Sequence, residues 1–485
     1  MILANNSGHQ TPQFRVLSDS QCQELFLATL ECLWRIGIRI QNLEARALLA
    51  AAGADVDDEQ VRIPAHIIQD AIAATPRTFT IWGRNYQYEM RISPDRVHFG
   101  PGPSCTYFID PQSGEHRRAR RGDAGLTALV CDALPNIDYA MGLSLFDDVL
   151  PVLSPVYEFA EMLANTSKPL IAWANTTETL KDIHKMALAV AGNENALRRK
   201  PIYAFFTTYE SPLRLANMPV ANMLWAAEHD VPVICLGGPT VGLESPFSGA
   251  SALVMHQASV LSALAIVQLK KRGTPMIIGG VPSMMDLRTA RPAYGSPEMS
   301  LHSAAAVDLA RHLGLPFMGT AGASESKSID AQAGAESAIQ VLMSSLSGAS
   351  LVHDVGFLDC ADIGSLSYLV LTDELIGMVA RIMRGIQVNA ESIMLDLLEK
   401  VGSEGHFITE PRSAALCRAE AWVPTVLERN PYAQWEKKGS KQTDQLVVEK
   451  LQKILNNHHP VPLSADATQN IKGILARAEE REQTH

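Results

Sequence analysis

Eight short apolar runs, each followed by a helical pattern, constrain the fold of this chain more than any other feature. Several runs begin after proline or Lys-Pro, and many end in glycine, asparagine or threonine. Near-continuous apolar runs that alternate with helices are typical of a parallel sheet buried on both faces. The runs span residues 96–110, 137–144, 168–176, 201–208, 231–240, 274–281, 315–322 and 349–357.

Eight such units in succession predict an α/β fold of the (β/α)8 TIM barrel type. The alternative is an open doubly wound sheet, but no G-x-G-x-x-G motif follows the first run. Helical patterns flank the eight units on both sides. We therefore expect an N-terminal helical extension over residues 1–90, the barrel over 91–385, and a C-terminal helical extension over 386–485 that packs on the barrel.

Composition narrows the class of protein. The chain has 485 residues and a net charge of -11, an acidic balance that argues against a nucleic-acid binder. Its seven cysteines are scattered without a C-x-x-C pair, as expected in a reducing compartment. The apolar stretch 250–269 is interrupted by polar residues such as His256 and Gln257, so we expect a buried helix and no membrane span. With no secretory signal pattern at its start, the protein is expected in the cytoplasm.

The carboxyl ends of the runs carry many aromatic side chains, although Phe, Trp and Tyr make up only 6% of the chain. Active sites of barrels lie at these strand ends, and aromatic faces attract cations, quaternary ammonium groups above all. The alternative is core packing, which strand alternation implies for about half of the rings. The candidates for substrate binding are Tyr107, Trp173, Phe205, Phe206, Thr208 and Phe357.

Polar candidates follow the third and the eighth run. Asn175 ends the third, and His353 and Asp354 end the eighth. His353 either contacts a ligand or is a core histidine bonded to nearby backbone. In a regular strand Asp354 points to the opposite face, so we expect separate roles for the two. Lys168 stands at the start of the third run, ahead of its strand, and no lysine lies inside a predicted strand, which argues against Schiff-base chemistry.

Two further features concern larger ligands. Runs five, six and seven end in glycine, which predicts open space above the sheet; the positions are Gly237, Gly238, Gly279, Gly280 and Gly319. Segment 114–123 is rich in arginine and is either a solvated turn or a docking patch for an acidic partner. Its arginines are Arg117, Arg118, Arg120 and Arg121.

Four long segments resemble the trimethylamine methyltransferase family of corrinoid-dependent enzymes. They begin "GGVPSMMDLRTARPAYG", "GTAGASESKSIDAQAG", "GASLVHDVGFLDCADIG" and "GSEGHFITEPRS", the last continuing to "NPYAQWEKKGSK". The resemblance extends over nearly the whole chain, and it implies the same barrel. Members of this family move a methyl group from a methylated amine to Co(I) of a corrinoid on a separate small protein. The trimethylamine enzymes contain pyrrolysine, whereas every position here is one of the twenty ordinary residues.

The resemblance therefore implies a methyltransferase of one-carbon metabolism that uses a quaternary amine, glycine betaine in first place. His353 and Asn175 would hold the substrate carboxylate, and Tyr107, Phe205, Phe206 and Phe357 would face the trimethylammonium group, with Thr208 and Asp354 beside them. The glycine-lined ends would admit the corrinoid, which the partner protein supplies. No tightly bound cofactor and no metal is expected, and we expect a homo-oligomer.

Other interpretations remain open at this point. In the first of these interpretations, the substrate is another betaine, such as carnitine or proline betaine. In a second, the protein is a metal-dependent barrel hydrolase or lyase with His353 and Asp354 as ligands, although neither H-E-x-x-H nor an H-x-H on a predicted strand occurs. In a third, it binds a betaine without catalysis.

Overall fold

A computed structural model describes residues 1–4 and 11–483 of the protein. The strands are β1 (Ile2–Leu3), β2 (Ile38–Ile40), β3 (Asp55–Asp57), β4 (Gln60–Arg62), β5 (Phe79–Trp82), β6 (Glu89–Ile92), β7 (Arg96–Phe99), β8 (Tyr107–Ile109), β9 (His116–Arg118), β10 (Leu170–Ala172), β11 (Tyr203–Thr208), β12 (Arg214–Leu215), β13 (Val233–Leu236), β14 (Met276–Gly279), β15 (Met285–Asp286), β16 (Arg291–Pro292), β17 (Phe317–Thr320), β18 (Leu351–His353), β19 (Phe357–Leu358) and β20 (Ile363–Gly364).

Helices surround these strands. A short 3-10 turn (Pro151–Leu153) precedes the fifth helix. The helices are α1 (Asp19–Arg35), α2 (Leu43–Ala51), α3 (Ala65–Ala74), α4 (Arg121–Ala133), α5 (Ser154–Asn165), α6 (Thr177–Ala191), α7 (Glu194–Arg199), α8 (Asn217–Glu228), α9 (Gly249–Lys270), α10 (Pro297–His312), α11 (Ala331–Ser347), α12 (Leu366–Met383), α13 (Ala390–Ile393), α14 (Leu395–Val401), α15 (Pro411–Glu420), α16 (Tyr432–Lys437), α17 (Thr443–Asn457) and α18 (Ala465–Gln483).

The main sheet has eight strands in the order β1-β7-β18-β17-β14-β13-β11-β10. Strand β1 is antiparallel to β7, and every other neighbouring pair is parallel. This is a curled, mixed α/β fold in which helices cover the outer face of the parallel strands. The predicted alternation of strands and helices is confirmed from β10 to β18.

Two predicted strands differ from the structure. The run 96–110 is split, because β7 ends at Phe99 and β8 belongs to a separate sheet of order β19-β20-β8-β9. Pro101 and Pro103 interrupt the run, and proline has no N–H to donate to a ladder. The run 137–144, which lies within the described residues, forms no regular strand and makes two isolated parallel bridges, Ala140 to Leu170 and Ser144 to Cys105.

Two packing layers position the site. Side chains on the inner face of the parallel strands form one cluster, which includes Ile171, Phe206 and Leu351. The hairpin β5–β6 adds Ile81 and Met90 to this cluster, and the Trp82 N–H donates to the Pro201 carbonyl, 2.7 Å away. The hairpin therefore fills the end of the sheet at which the strands begin.

Helix α9 confirms the buried helix predicted over residues 250–269. It is long and apolar enough to cross a membrane, but 78% of its apolar stretch is buried inside the protein. The division of the chain into a barrel and two helical extensions stays a prediction. Residues 1–90 contain α1 to α3 together with the short strands β1 to β6.

Candidate active site at the carboxyl ends of the strands

His353, Asp354 and Thr320 form a hydrogen-bonded chain where β17 and β18 end. His353 Nδ1 bonds to one carboxylate oxygen of Asp354, and the Thr320 hydroxyl donates to the other at 2.6 Å. Only 4% of His353 and 1% of Asp354 is exposed. Within the described residues, His353 Nε2 is buried without a hydrogen-bond partner. The ring is thus fixed through one nitrogen while the other is left for a ligand.

The expectation that His353 and Asp354 point to opposite faces is wrong. Strand β18 ends at His353, and Asp354 has a left-handed backbone with φ of 75°. This turn brings its carboxylate back to the histidine ring. Gly102 packs against both, since a methyl group added there would lie 2.3 Å from Asp354 Oδ1.

Two aromatic rings face the same space as His353. The parallel register pairs Ala172 of β10 with Phe205 of β11, so that Trp173 and Phe206 follow side by side. Phe206 belongs to the inner cluster, and Trp173 packs against that cluster. The centres of the Phe206 and His353 rings are 6.3 Å apart. These rings therefore lie together at the carboxyl end of the sheet.

Phe205 lies on the other face of β11, and its predicted position is wrong. Its fully buried ring packs in the outer cluster, among residues such as Phe159 and Tyr203. Strand alternation explains the difference, because neighbours on one strand point to opposite faces.

A third group at this end of the sheet, Glu158 of α5, is absent from the sequence-based candidates. It is 1% exposed, and the Trp173 Nε1–H lies 3.1 and 3.2 Å from its two carboxyl oxygens. Burial raises the pKa of Glu158 to about 8, while hydrogen bonds from Trp173 and the Gly142 backbone act in the opposite direction. A methyl group at Gly142 would lie 2.1 Å from the Glu158 carboxyl carbon, so glycine is required there.

The remaining predicted substrate contacts are spread around the site. Phe357 is fully buried, and its ring would be 2.9 Å from a methyl group added at Gly102. Thr208 and Asn175 are exposed, and the Asn175 amide donates to the Pro151 carbonyl at 2.9 Å. These positions lie at the carboxyl end of the sheet, but the structure does not join Asn175 or Thr208 to His353 by any hydrogen bond.

The predicted position of Tyr107 at a strand end of the main sheet is wrong. It belongs to β8, outside the main sheet, where its ring stacks on His116 at 4.5 Å between centres. The Arg118 guanidinium lies 4.8 Å from the same ring centre. Tyr107 thus already contacts a cation of the protein itself.

The glycines of runs five to seven do not leave open space. Methyl groups added to them would lie within ordinary contact of neighbouring atoms or closer. At Gly237 the neighbour is the Tyr209 ring, at 2.8 Å, and at Gly280 it is the His256 ring, at 2.3 Å. The corresponding neighbours are Val281 for Gly238, Leu236 for Gly279 and Ser303 for Gly319. These glycines allow close packing, so the predicted opening is wrong.

Two of the four arginines in segment 114–123 form ion pairs within the protein. Arg117 binds Asp123 through both terminal nitrogens, at 2.7 and 2.8 Å. Arg121 pairs with Glu161 at 2.8 Å. Arg118 and Arg120 are exposed. A docking patch could therefore use only the latter two.

The donors needed for a protein-bound metal ion do not converge in the described part of the chain. No group of three or more His, Cys, Asp or Glu side chains there has an arrangement that could hold such an ion.

The sequence of this chain matches one enzyme family over almost its full length. The family model described as "Trimethylamine methyltransferase (MTTB)" matches residues 3–482. The chain therefore belongs to the trimethylamine methyltransferase family, which is the resemblance expected from its sequence.

Relatives within this family carry two different names. The trimethylamine methyltransferase MttB of Desulfitobacterium hafniense is 30% identical over 468 residues, covering 96% of this chain and 94% of its own. That of Methanosarcina thermophila is 30% identical over 475 residues, covering 95% and 96%. A glycine betaine methyltransferase of Desulfitobacterium hafniense is 26% identical over 472 residues, covering 97% and 98%.

The fold is shared with a solved methylamine enzyme. The monomethylamine methyltransferase MtmB of Methanosarcina barkeri superimposes with a TM-score of 0.54 at 11% identity, covering 96% of this chain and 88% of that one. The MtmB complex with hydroxylamine gives a TM-score of 0.55. At this identity the likeness concerns the fold alone.

Proposed function

We propose that the protein transfers a methyl group from a quaternary amine, glycine betaine in first place, to Co(I) of a corrinoid on a separate protein. The observation that carries this proposal is the pair of rings, Trp173 and Phe206, beside the buried His353 in a chain without pyrrolysine. The family supports methyl transfer, and the relative named a glycine betaine methyltransferase supports the choice of substrate.

Methyl transfer from a quaternary amine requires a site that orients the substrate and stabilises its positive charge. A quaternary ammonium carries a full positive charge, so aromatic faces attract it. When the N–CH3 bond breaks, its electron pair stays on nitrogen, so the product is dimethylglycine with a neutral amine nitrogen and an ionised carboxylate; the nitrogen takes up a proton from solvent after release. Co(I) supplies the electron pair of the new Co–CH3 bond and becomes Co(III). The protein then needs to place the methyl carbon in line with cobalt in a water-poor space.

In this proposal, different residues contact the trimethylammonium group and the carboxylate of the substrate. Trp173 and Phe206 face the trimethylammonium group, with Phe357 behind them. His353, held by Asp354, presents Nε2 to the substrate carboxylate when both its nitrogens are protonated. Asn175 is the second candidate for the carboxylate, because one of its amide hydrogens is free to turn toward the substrate.

We also infer that the curled sheet closes into the expected barrel. The segment around Ala140 would be the missing strand. Asp138 N–H donates to the Phe99 carbonyl at 2.7 Å on one side, and Ile171 N–H donates to the Ala140 carbonyl at 3.0 Å on the other. We further propose that the protein works in the cytoplasm as a homo-oligomer; the free state of all seven cysteines is consistent with a reducing compartment.

Incubation with reduced cobalamin and a panel of amines tests the function. We expect glycine betaine to produce the methylcobalamin spectrum, and trimethylamine, dimethylamine and monomethylamine to leave Co(I) unmethylated. Carnitine and proline betaine in the panel distinguish the betaines from one another. Turnover of trimethylamine at a rate comparable to any betaine would contradict the proposal, and betaine binding without methyl transfer would favour a binding protein.

A further inference from the structure

Glu158 is a buried acid without a partner of opposite charge. Both of its oxygens face the Trp173 N–H, and Gly142 leaves room for the carboxyl group. Among the residues that the structure describes, no Lys, Arg or His side chain contributes to the pKa of Glu158. A buried ionised carboxylate is unfavourable unless a charge or strong donors compensate it.

Several charged groups on the elements packed against α5 are occupied elsewhere. Helices α4, α6 and α18 contact α5, and several of their charged or titratable side chains are paired with other groups, while Lys472 of α18 lies beside Glu161 and Ala164 of α5 and does not contribute to the pKa of Glu158. The pairs are Arg121 with Glu161, Asp123 with Arg117, Lys185 and Arg481 with Asp182, and His184 with Tyr203.

Trp173 connects Glu158 to the inner cluster. The indole N–H edge points at Glu158, while the ring packs on the inner cluster beside Phe206, which itself lies 6.3 Å from His353. Glu158, Trp173, Phe206 and His353 thus form a row at the carboxyl end of the sheet. A cation bound in this row would be the nearest compensating charge for the carboxylate, in surroundings of low dielectric constant where attraction is strong.

We propose that Glu158 is a specificity-determining residue that holds a proton in the empty site and releases it to solvent when a cationic amine binds beside Trp173. The choice of ligand class rests on the proposed function. The site would then favour permanently charged amines over neutral ones of the same shape, because only a cation makes ionisation of Glu158 favourable.

This coupling predicts a specific pH dependence. Below about pH 8, cation binding has to displace the proton, so kcat/KM for glycine betaine should rise about tenfold per pH unit and then level off. Near pH 7, binding should release about one proton per cation. A Glu158 with a merely structural role would give neither effect.

Calorimetry of tetramethylammonium chloride binding in phosphate and in Tris provides the direct test. The two buffers differ strongly in ionisation enthalpy, so a released proton appears as a difference between the measured heats. We expect this difference for the wild-type protein and for Glu161→Gln, a matched control on the same helix. We expect it to vanish in Glu158→Gln, with affinity at pH 8 lowered at least tenfold.

A second variant shows whether the indole tunes the acid. Trp173→Phe keeps a ring but removes the N–H donor, so the midpoint of the kcat/KM profile should move to higher pH. Retention of the same profile in Glu158→Gln would overturn the inference, as would the absence of proton release from the wild type. Proton release with tetramethylammonium but no methyl transfer from any betaine would refute the proposed function alone.

Discussion

Two buried ionisable groups, Lys168 at the amino end of the main sheet and Glu158 at its carboxyl end, have opposite surroundings. At the amino end, Lys168 is 5% exposed, and its ammonium group donates to the carbonyls of Cys131, Leu134 and Ile137 at 2.5 to 2.6 Å. Burial lowers the pKa of Lys168, and nearby acids act in the opposite direction. Every donor of this ammonium group therefore has an acceptor.

At the carboxyl end, two buried polar groups lack such compensation. Glu158 has only neutral donors, and His353 Nε2 has no partner in the part of the chain that the structure describes. Under the proposed function, the carboxyl end is the binding end. In (β/α)8 barrels the amino face stabilises and the carboxyl face carries the chemistry, and a buried group with a shifted pKa, such as Glu158, is a candidate functional residue.

Removal of the Lys168 ammonium group should have the largest effect on stability. Lys168→Met keeps the volume of the side chain but leaves three buried carbonyls unpaired, which should lower the free energy of unfolding by about 3 kcal/mol or more. Chemical denaturation measures this loss. The folded fraction should keep its kcat/KM for glycine betaine, and a large fall in kcat/KM at unchanged stability would contradict the division between the two ends.

The two ends should also respond to pH with opposite sign. Asp138, at the amino end, has a lowered pKa because His98 and the N-terminal ammonium group outweigh the effect of burial. Its contribution is present above the pKa of the unfolded chain, about 4, and is lost in more acidic solution. Glu158 has a raised pKa, so its contribution is present below about pH 4.5 and is lost as the pH rises to about 8.

Unfolding of two variants across this range provides the measurement. Relative to Glu158→Gln, the wild type should lose a few kcal/mol between pH 5 and pH 8. Relative to Asp138→Asn, its advantage should stay constant over that interval and shrink only in acid. Parallel curves for wild type and Glu158→Gln would show that Glu158 is not protonated in the fold.

The rings of β11 allow a matched pair of variants. Phe206→Leu removes a ring from the inner face and should lower kcat/KM for glycine betaine about thirtyfold, since a desolvated cation gains about 2 kcal/mol from an aromatic face. Phe205→Leu changes the outer cluster and should reduce stability while leaving kcat/KM within about twofold. Steady-state kinetics of both variants test this, and equal losses would mean that Phe206 is core packing.

The smallest effect is expected at His353. His353→Ala removes one contact to the carboxylate and should raise KM about tenfold with a smaller change in kcat, if the contact is made equally in ground and transition states. Tetramethylammonium, which has no carboxylate, should bind the variant as well as it binds the wild type. An unchanged KM in a destabilised variant would identify His353 as a core residue.

Much of the fold follows from pattern, because apolar runs and helices alternate with the period that a buried parallel sheet requires. The differences arise where local chemistry overrides the pattern. Pro101 and Pro103 end the first strand early, and the left-handed turn at Asp354 reverses the direction that alternation predicts. Neither the closing segment near Ala140 nor the packing of glycines such as Gly237 can be read from composition alone.

The sequence placed the candidate site at the carboxyl ends of the strands, which stays a prediction; of its candidates, the structure brings the rings of His353 and Phe206 together. Glu158 was missed because the candidates were taken from the carboxyl ends of the apolar runs, whereas Glu158 lies on helix α5. A signal was available: Glu158 lies four residues before Met162 and three after Pro155, both buried, so it is a charge on the apolar face of a helix. Its link to Trp173 depends on the register of distant strands, which the sequence does not encode locally.

The hairpin β5–β6 has a kinetic consequence. Because its side chains fill the end of the sheet where the strands begin, the proposed methyl donor and the proposed corrinoid partner would both have to approach from the carboxyl end. Under the proposed function, the amine has to enter before the partner docks, and the demethylated product can leave only after the partner departs. The reaction should therefore follow a compulsory order, with excess partner acting as an inhibitor by occluding the empty site.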